Sequence, residues 1–275
     1  MELGLLQISS LAYLIASMAF AAHVARPGGR MGRVGAAALA AGFIAHTGGI
    51  LARLYALGLL PVTTFGEGLS FFSWLVVGTF AVISGRYRLT VLGAVVSALA
   101  FSLSLAGVML YDGGSVVPNA LRSPWLPVHV TLAFLGNAVF AVAFAVSVVY
   151  LVQENLLKSR RPGWMITRLP SLEQLDRLNY SCLAWGFPIL TLGMLSGGIW
   201  AVNAWGRFWS WEPRELLSLL TWSIYGGLLL YRLMSGLRGR RAASLTIIGF
   251  SLVVISYLSV NLLPIAGKHG GTFGS

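Results

Sequence analysis

Four histidines and one loop crowded with tryptophan are the residues here whose types and spacing could support chemistry. His23, His46, His129 and His269 are the only imidazoles in 275 residues. The loop reads WAVNAWGRFWSWEPRE over 200–215 and gathers Trp200, Trp205, Phe208, Trp209 and Trp211 with Arg207, Glu212, Arg214 and Glu215. An aromatic shelf bordered by two guanidinium groups suits a flat, hydrophobic ligand that carries carboxylates, because a guanidinium fork matches a carboxylate. Haem is a ligand of that kind, and histidine is its usual axial ligand. Two plainer readings stand beside this one. Tryptophan is enriched where a membrane meets water, so the loop reads equally as an aromatic belt, and the arginines as phosphate-facing residues. If the loop is helical, Trp205, Phe208 and Trp209 share one face at i, i+3 and i+4. Its end carries a helix start, with Glu212 as cap, Pro213 at the first position and Glu215 three residues after the cap.

The elements that must position these residues follow from composition. The chain is 57% hydrophobic and only 10% charged, with a mean hydropathy of +0.80. Soluble domains carry about a quarter charged residues, and disordered chains are poor in apolar residues, so both classes are excluded. A single cysteine, Cys182, excludes a disulfide scaffold. A bilayer-crossing helix needs about 20 mostly apolar residues. Such runs fall at 4–24, 34–57, 69–84, 89–111, 128–152, 178–200, 215–232 and 244–263. They are too long, and alternate too weakly, for strands of a membrane barrel. The expected fold is an all-α polytopic membrane protein of about eight transmembrane helices. Only Glu2 precedes the first run, which therefore lacks the basic start of a cleavable signal peptide and reads as a retained span.

The net charge of +11 fits either nucleic acid or the basic excess of cytoplasmic loops, and its distribution decides between them. Alternating the loops places 14 of the 19 basic residues on one side, and Arg53, Arg122, Arg207, Arg214 and Lys268 on the other. The positive-inside rule makes the first side cytoplasmic, so both termini are expected outside. The tryptophan loop, His129 at the start of the fifth run and His269 in the tail then share the extracytoplasmic face. His23 reads as an interface residue. His46 lies inside the second run, where an ionisable group is functional by default or simply hydrogen-bonds another helix. Glu67 reads as a partner for Arg53 or as a solvated acid, and Cys182 as a small packing residue.

The segment WGRFWSWEPRELLSLLTWSIY, from Trp205 to Tyr225, resembles the tryptophan-rich WWD signature of haem-handling proteins in cytochrome c maturation, and most closely the CcsA (ResC) family. Trp205, Gly206, Phe208, Trp209, Trp211, Glu212, Pro213, Arg214 and Glu215 match its core, with Glu212 where the family usually has aspartate. The early segment from His46 to Trp74, including Arg53, Gly58, Pro61, Glu67 and Ser70, is similar to that family as well. His129 falls where the family has its first external histidine, and His269 where it has the second.

The resemblance implies one membrane domain over 1–275 with an extracytoplasmic WWD loop at 200–215. It implies that His129 and His269 are axial ligands to a transiently, non-covalently held haem b, with Trp205, Phe208, Trp209, Trp211, Arg207, Glu212 and Arg214 about it and His46 as a possible addition. It further implies the bacterial cytoplasmic membrane, a CcsB-like membrane partner and delivery of haem to the CxxCH motif of apocytochrome c, with no nucleic-acid partner. The chain would be at most one component of a holocytochrome c synthetase. The family's synthetases carry a histidine near the inner end of the seventh span, and GLLLYRLMSG (227–236) has none. That keeps open a HemX-type membrane protein regulating haem synthesis. A haem or anion transporter is a weaker alternative, since no internal repeat is visible.

Overall fold

The structure is a computed structural model that describes residues 2–25, 29–86, 90–112, 119–159 and 169–262. Eight long helices run through these residues: α1 (Glu2–Ala25), α2 (Gly29–Leu57), α3 (Phe65–Arg86), α4 (Thr90–Met109), α5 (Trp125–Lys158), α6 (Leu172–Trp205), α7 (Pro213–Ser235) and α8 (Arg240–Leu262). Each is long and apolar enough to cross a membrane, as the spacing of the apolar runs predicts. We call the end carrying the α2–α3, α4–α5 and α6–α7 connections the upper end. α5 and α6 overrun the expected 128–152 and 178–200, because each continues as a polar, amphipathic helix beyond its apolar stretch. Ser171 caps the extended start of α6 by accepting from Gln174 N at 3.1 Å.

Lipid offers no hydrophobic drive for helices to associate, so small residues that allow close approach set the packing. Gly35, Gly42 and Gly49 on α2 face Phe20, Tyr13 and Leu6 on α1, an antiparallel register in steps of seven. The α5–α6 pair is tighter. Phe140 meets Gly186, Gly136 meets Leu190, Ala133 meets Gly193 and His129 meets Gly197, so steps of four, three and four along α5 are matched along α6. A Cβ on Gly136 would lie 2.8 Å from Leu190 N, and one on Gly193 would lie 2.7 Å from Ala133 N. The backbones are therefore in contact, and the top rung of this ladder carries the histidine.

Two buried polar networks tie the helices together. Near the upper end, Arg53 Nε donates to Glu67 Oε1 at 2.8 Å, and Arg53 Nη1 reaches Glu2 at 3.1 Å. Thr63 donates to Glu67 Oε2 through both N (2.9 Å) and Oγ1 (2.7 Å). Glu67 is thus a buried partner of Arg53 and holds the α2–α3 connection. At the lower end, Arg232 donates to Asp176 Oδ2 (2.7 Å) and to Asn179 Oδ1 (2.8 Å). Asn179 Nδ2 in turn donates to Ser147 (2.8 Å) and Thr246 (3.2 Å), joining α5, α6, α7 and α8. This cluster fills the stretch where the sequence lacks a seventh-span histidine. Cys182 is buried in the same half, as a small packing residue.

Candidate functional site

A cavity of about 300 Å³ opens among α3, α5, α6, α7 and α8 near the upper end. That lies at the lower edge of the usual range of roughly 300–1,000 Å³ for small-molecule sites. His129 enters its wall one turn into α5. Its Nδ1 lies 2.8 Å from the Gly193 carbonyl, so the ring proton sits on Nδ1 and Nε2 is the basic nitrogen. The imidazole stacks on Trp200, with centroids 5.8 Å apart and planes 14° from parallel. Gly197 makes room for it, since a Cβ there would approach the ring to 2.6 Å.

The tryptophan loop supplies a further part of the wall, by a route other than the expected helix. α6 ends at Trp205, and Gly206 at φ 72° turns the chain out of the helix. Residues 207–212 are not helical, which corrects the i, i+3, i+4 argument. Trp205, Phe208 and Trp209 nevertheless all line the cavity. The loop is braced as its sequence predicts, by a capping box between Glu212 and Glu215. Glu215 Oε2 accepts from Ser210 N at 2.8 Å and from Glu212 N at 3.2 Å, tying down both sides of Trp211. Trp211 itself takes φ 58°, and its side chain is 69% exposed.

Of the expected site residues, the cavity wall therefore includes His129, Trp205, Phe208, Trp209 and Arg214. Glu212 serves as the helix cap, while Arg207 and Trp211 lie outside the wall among the described residues. His269 falls outside the described residues. His46 stands apart, fully buried, with Nδ1 3.2 Å from Tyr13 OH and Nε2 2.8 Å from Ser70 Oγ. That is the arrangement of an interhelical hydrogen bond.

Trp200, the first tryptophan of the loop segment, lines the wall beside His129. The wall also holds residues that the sequence did not single out: the Gly197–Gly198 pair lies beside the ring, and a Cβ on Gly198 would strike Phe208. Ser218 and Thr221 on α7, Tyr257 on α8 and Asn137 on α5 add polar groups. The α2–α3 connection held by Glu67 contributes Val62 and Thr64. Trp209 Nε1–H is buried without an acceptor among the described residues. The wall thus offers an imidazole nitrogen, aromatic side chains and a guanidinium. It fits an iron porphyrin with carboxylates.

Comparison with known proteins shows the family. The cytochrome C assembly protein family matches residues 35–266. The chain is 34% identical over 259 residues to the cytochrome c biogenesis protein CcsA of Heterosigma akashiwo, covering 81% of this chain and 79% of that protein. It is 29% identical over 301 residues to CcsA of Pyropia yezoensis, covering 95% and 93%, and 28% identical over 272 residues to CcsA of Gloeothece citriformis, covering 81% and 82%. Among solved structures, the cytochrome c haem lyase CcmF superposes with a TM-score of 0.66 at 17% identity. That alignment covers 98% of this chain but only 47% of CcmF, and shows a shared fold. With four fifths of the chain aligned to CcsA at about one residue in three identical, this protein belongs to the cytochrome c assembly protein family and is of the CcsA type.

Proposed function

We propose that this chain binds haem in the α5–α8 cavity and presents it to apocytochrome c, as the haem-handling membrane subunit of a cytochrome c synthetase. The observation that carries this is His129, its Nδ1 proton held by Gly193, set in an aromatic cavity wall that also includes Arg214. His129 from the bundle and His269 from the tail would hold the haem iron. Arg214, a guanidinium in the cavity wall, holds a propionate, since its fork matches a carboxylate. The haem is b-type and held without covalent bonds, since the chain has no CxxCH of its own. The haem supplies the vinyl groups that form thioethers, while the protein orients it and tunes its iron. A CcsB-like partner completes the synthetase. The cavity faces outward across the bacterial cytoplasmic membrane, which rests on the distribution of basic residues.

The names of the curated relatives and of the structural neighbour favour this reading over HemX-type regulation or transport. The test is the absorbance spectrum of the purified protein. A b-type haem spectrum is expected in the wild type and lost in a His129→Ala/His269→Ala double variant; an unchanged spectrum in that variant would sink the ligand assignment. Deleting the chain should abolish c-type cytochromes and leave the early enzymes of haem synthesis at normal levels.

A further inference from the structure

The carbonyl that holds His129 is shared. Gly193 O accepts from His129 Nδ1 at 2.8 Å and from Ser196 Oγ at 2.9 Å. In the regular helix ladder it is also the acceptor for Gly197 N–H. A carbonyl oxygen offers two lone pairs, so three donors compete for it. Ser196 is itself buried, 6% exposed, which commits its hydroxyl to this bond. Hydroxyls bonding back one turn are common in membrane helices, where they satisfy the serine and little else. Here the acceptor is the one that fixes a candidate ligand.

We propose that Ser196 is a positioning residue that sets how strongly His129 donates electrons to the iron. This rests on the reading of His129 as a haem ligand. A hydrogen bond from the far ring nitrogen raises the basicity of a ligating imidazole. A stronger bond to Gly193 O makes Nε2 a better donor, which stabilises ferric iron and lowers the reduction potential. Ser196 draws on the same oxygen and weakens that bond. The imidazole is then a poorer donor, and the potential rises toward the ferrous form. Hydrogen bonding beyond the axial ligand is among the levers by which proteins tune haem potentials. No contact between Ser196 and the haem is required.

The test is a spectroelectrochemical titration of the haem-loaded, full-length protein. Ser196→Ala should shift the midpoint to more negative potential with the absorbance bands in place. Ser196→Thr keeps the hydroxyl and should titrate with the wild type. Ser196→Gly removes the hydroxyl without adding bulk and must shift in the same direction as alanine, which guards against a packing effect. The role is overturned if Ser196→Ala and Ser196→Gly both titrate with the wild type, or if Ser196→Thr shifts as far as alanine. A haem spectrum that survives unchanged in His129→Ala overturns the ligand reading and this proposal with it. A spectrum lost in His129→Ala beside an unmoved Ser196→Ala overturns the serine's role alone.

Discussion

A methyl group added at Gly197 would lie 2.6 Å from His129 Cε1 and 2.7 Å from Nδ1, well inside van der Waals contact. The ring is already hydrogen-bonded to Gly193 and stacked on Trp200, so it has little room to yield. Overpacking of this kind costs about 1–3 kcal/mol. Gly197→Ala should therefore weaken haem binding by roughly 5- to 150-fold, since about 1.4 kcal/mol is a factor of ten. Absorbance titration with haem measures it. Gly227 on α7 has nothing within 4 Å of the same position. Gly227→Ala should leave haem affinity unchanged and raise helix stability by up to about 1 kcal/mol, read as an equal or higher melting temperature. At this scale the sequence is a good guide to residues whose own chemistry is unusual. His129, Arg214, Trp205, Phe208 and Trp209 can be picked out by type and proximity. Gly193, Gly197 and Tyr257 cannot, because their importance lies in what faces them across a helix interface, and spacing along one helix does not disclose the register of another.

The α2–α3 and α6–α7 connections are braced by interactions that can be tested one side chain at a time. Glu215 closes the capping box and holds the backbone on both sides of Trp211, a non-glycine residue in the left-handed region. Glu215→Ala should cost about 0.5–2 kcal/mol, the range for a lost cap. Glu215→Gln, which can still reach back to the cap, should cost less. Thermal melting followed by tryptophan fluorescence reports both. The α2–α3 connection depends on Arg53, whose removal leaves Glu67 charged and buried. Arg53→Met should destabilise by about 3–5 kcal/mol, with the double Arg53→Met/Glu67→Met variant milder; equal melting temperatures for the two would refute the buried-charge argument. The capping box and the Arg53–Glu67 pair are both readable from the sequence, the one because caps follow a local pattern, the other because two opposite charges flank a short connection. The path of residues 207–212 is not. Whether a tryptophan loop continues as helix is settled by Gly206 taking a left-handed turn and by Glu215 reaching back to Ser210, interactions that propensity does not encode.

Taken whole, the bundle carries its cavity toward one end and a polar network joining four helices toward the other. The cavity lies toward the upper connections, while the Arg232–Asp176–Asn179 network binds four helices below it. The proposed orientation puts the cavity outside the cell and the network near the cytoplasm. Cys182 is buried, so single engineered thiols can report it without a cysteine-free background. Arg207→Cys should react with an impermeant maleimide in intact cells and Arg240→Cys only after permeabilisation; the reverse pattern would invert the protein. The eight spans are legible in the sequence because hydrophobic length is a one-dimensional property, whereas the cavity arises from five helices and is not. The α5–α6 ladder also limits how the gene can change in length. Its four rungs match fixed steps on both helices, so one residue inserted between Gly186 and Gly197 would rotate the top of α6 by about 100° relative to its base. The segment would stay as apolar as before, yet the glycine would leave the histidine. Insertions and deletions should thus be tolerated in the stretch linking α5 to α6 and be lethal to function within these eleven positions, however conservative the inserted residue.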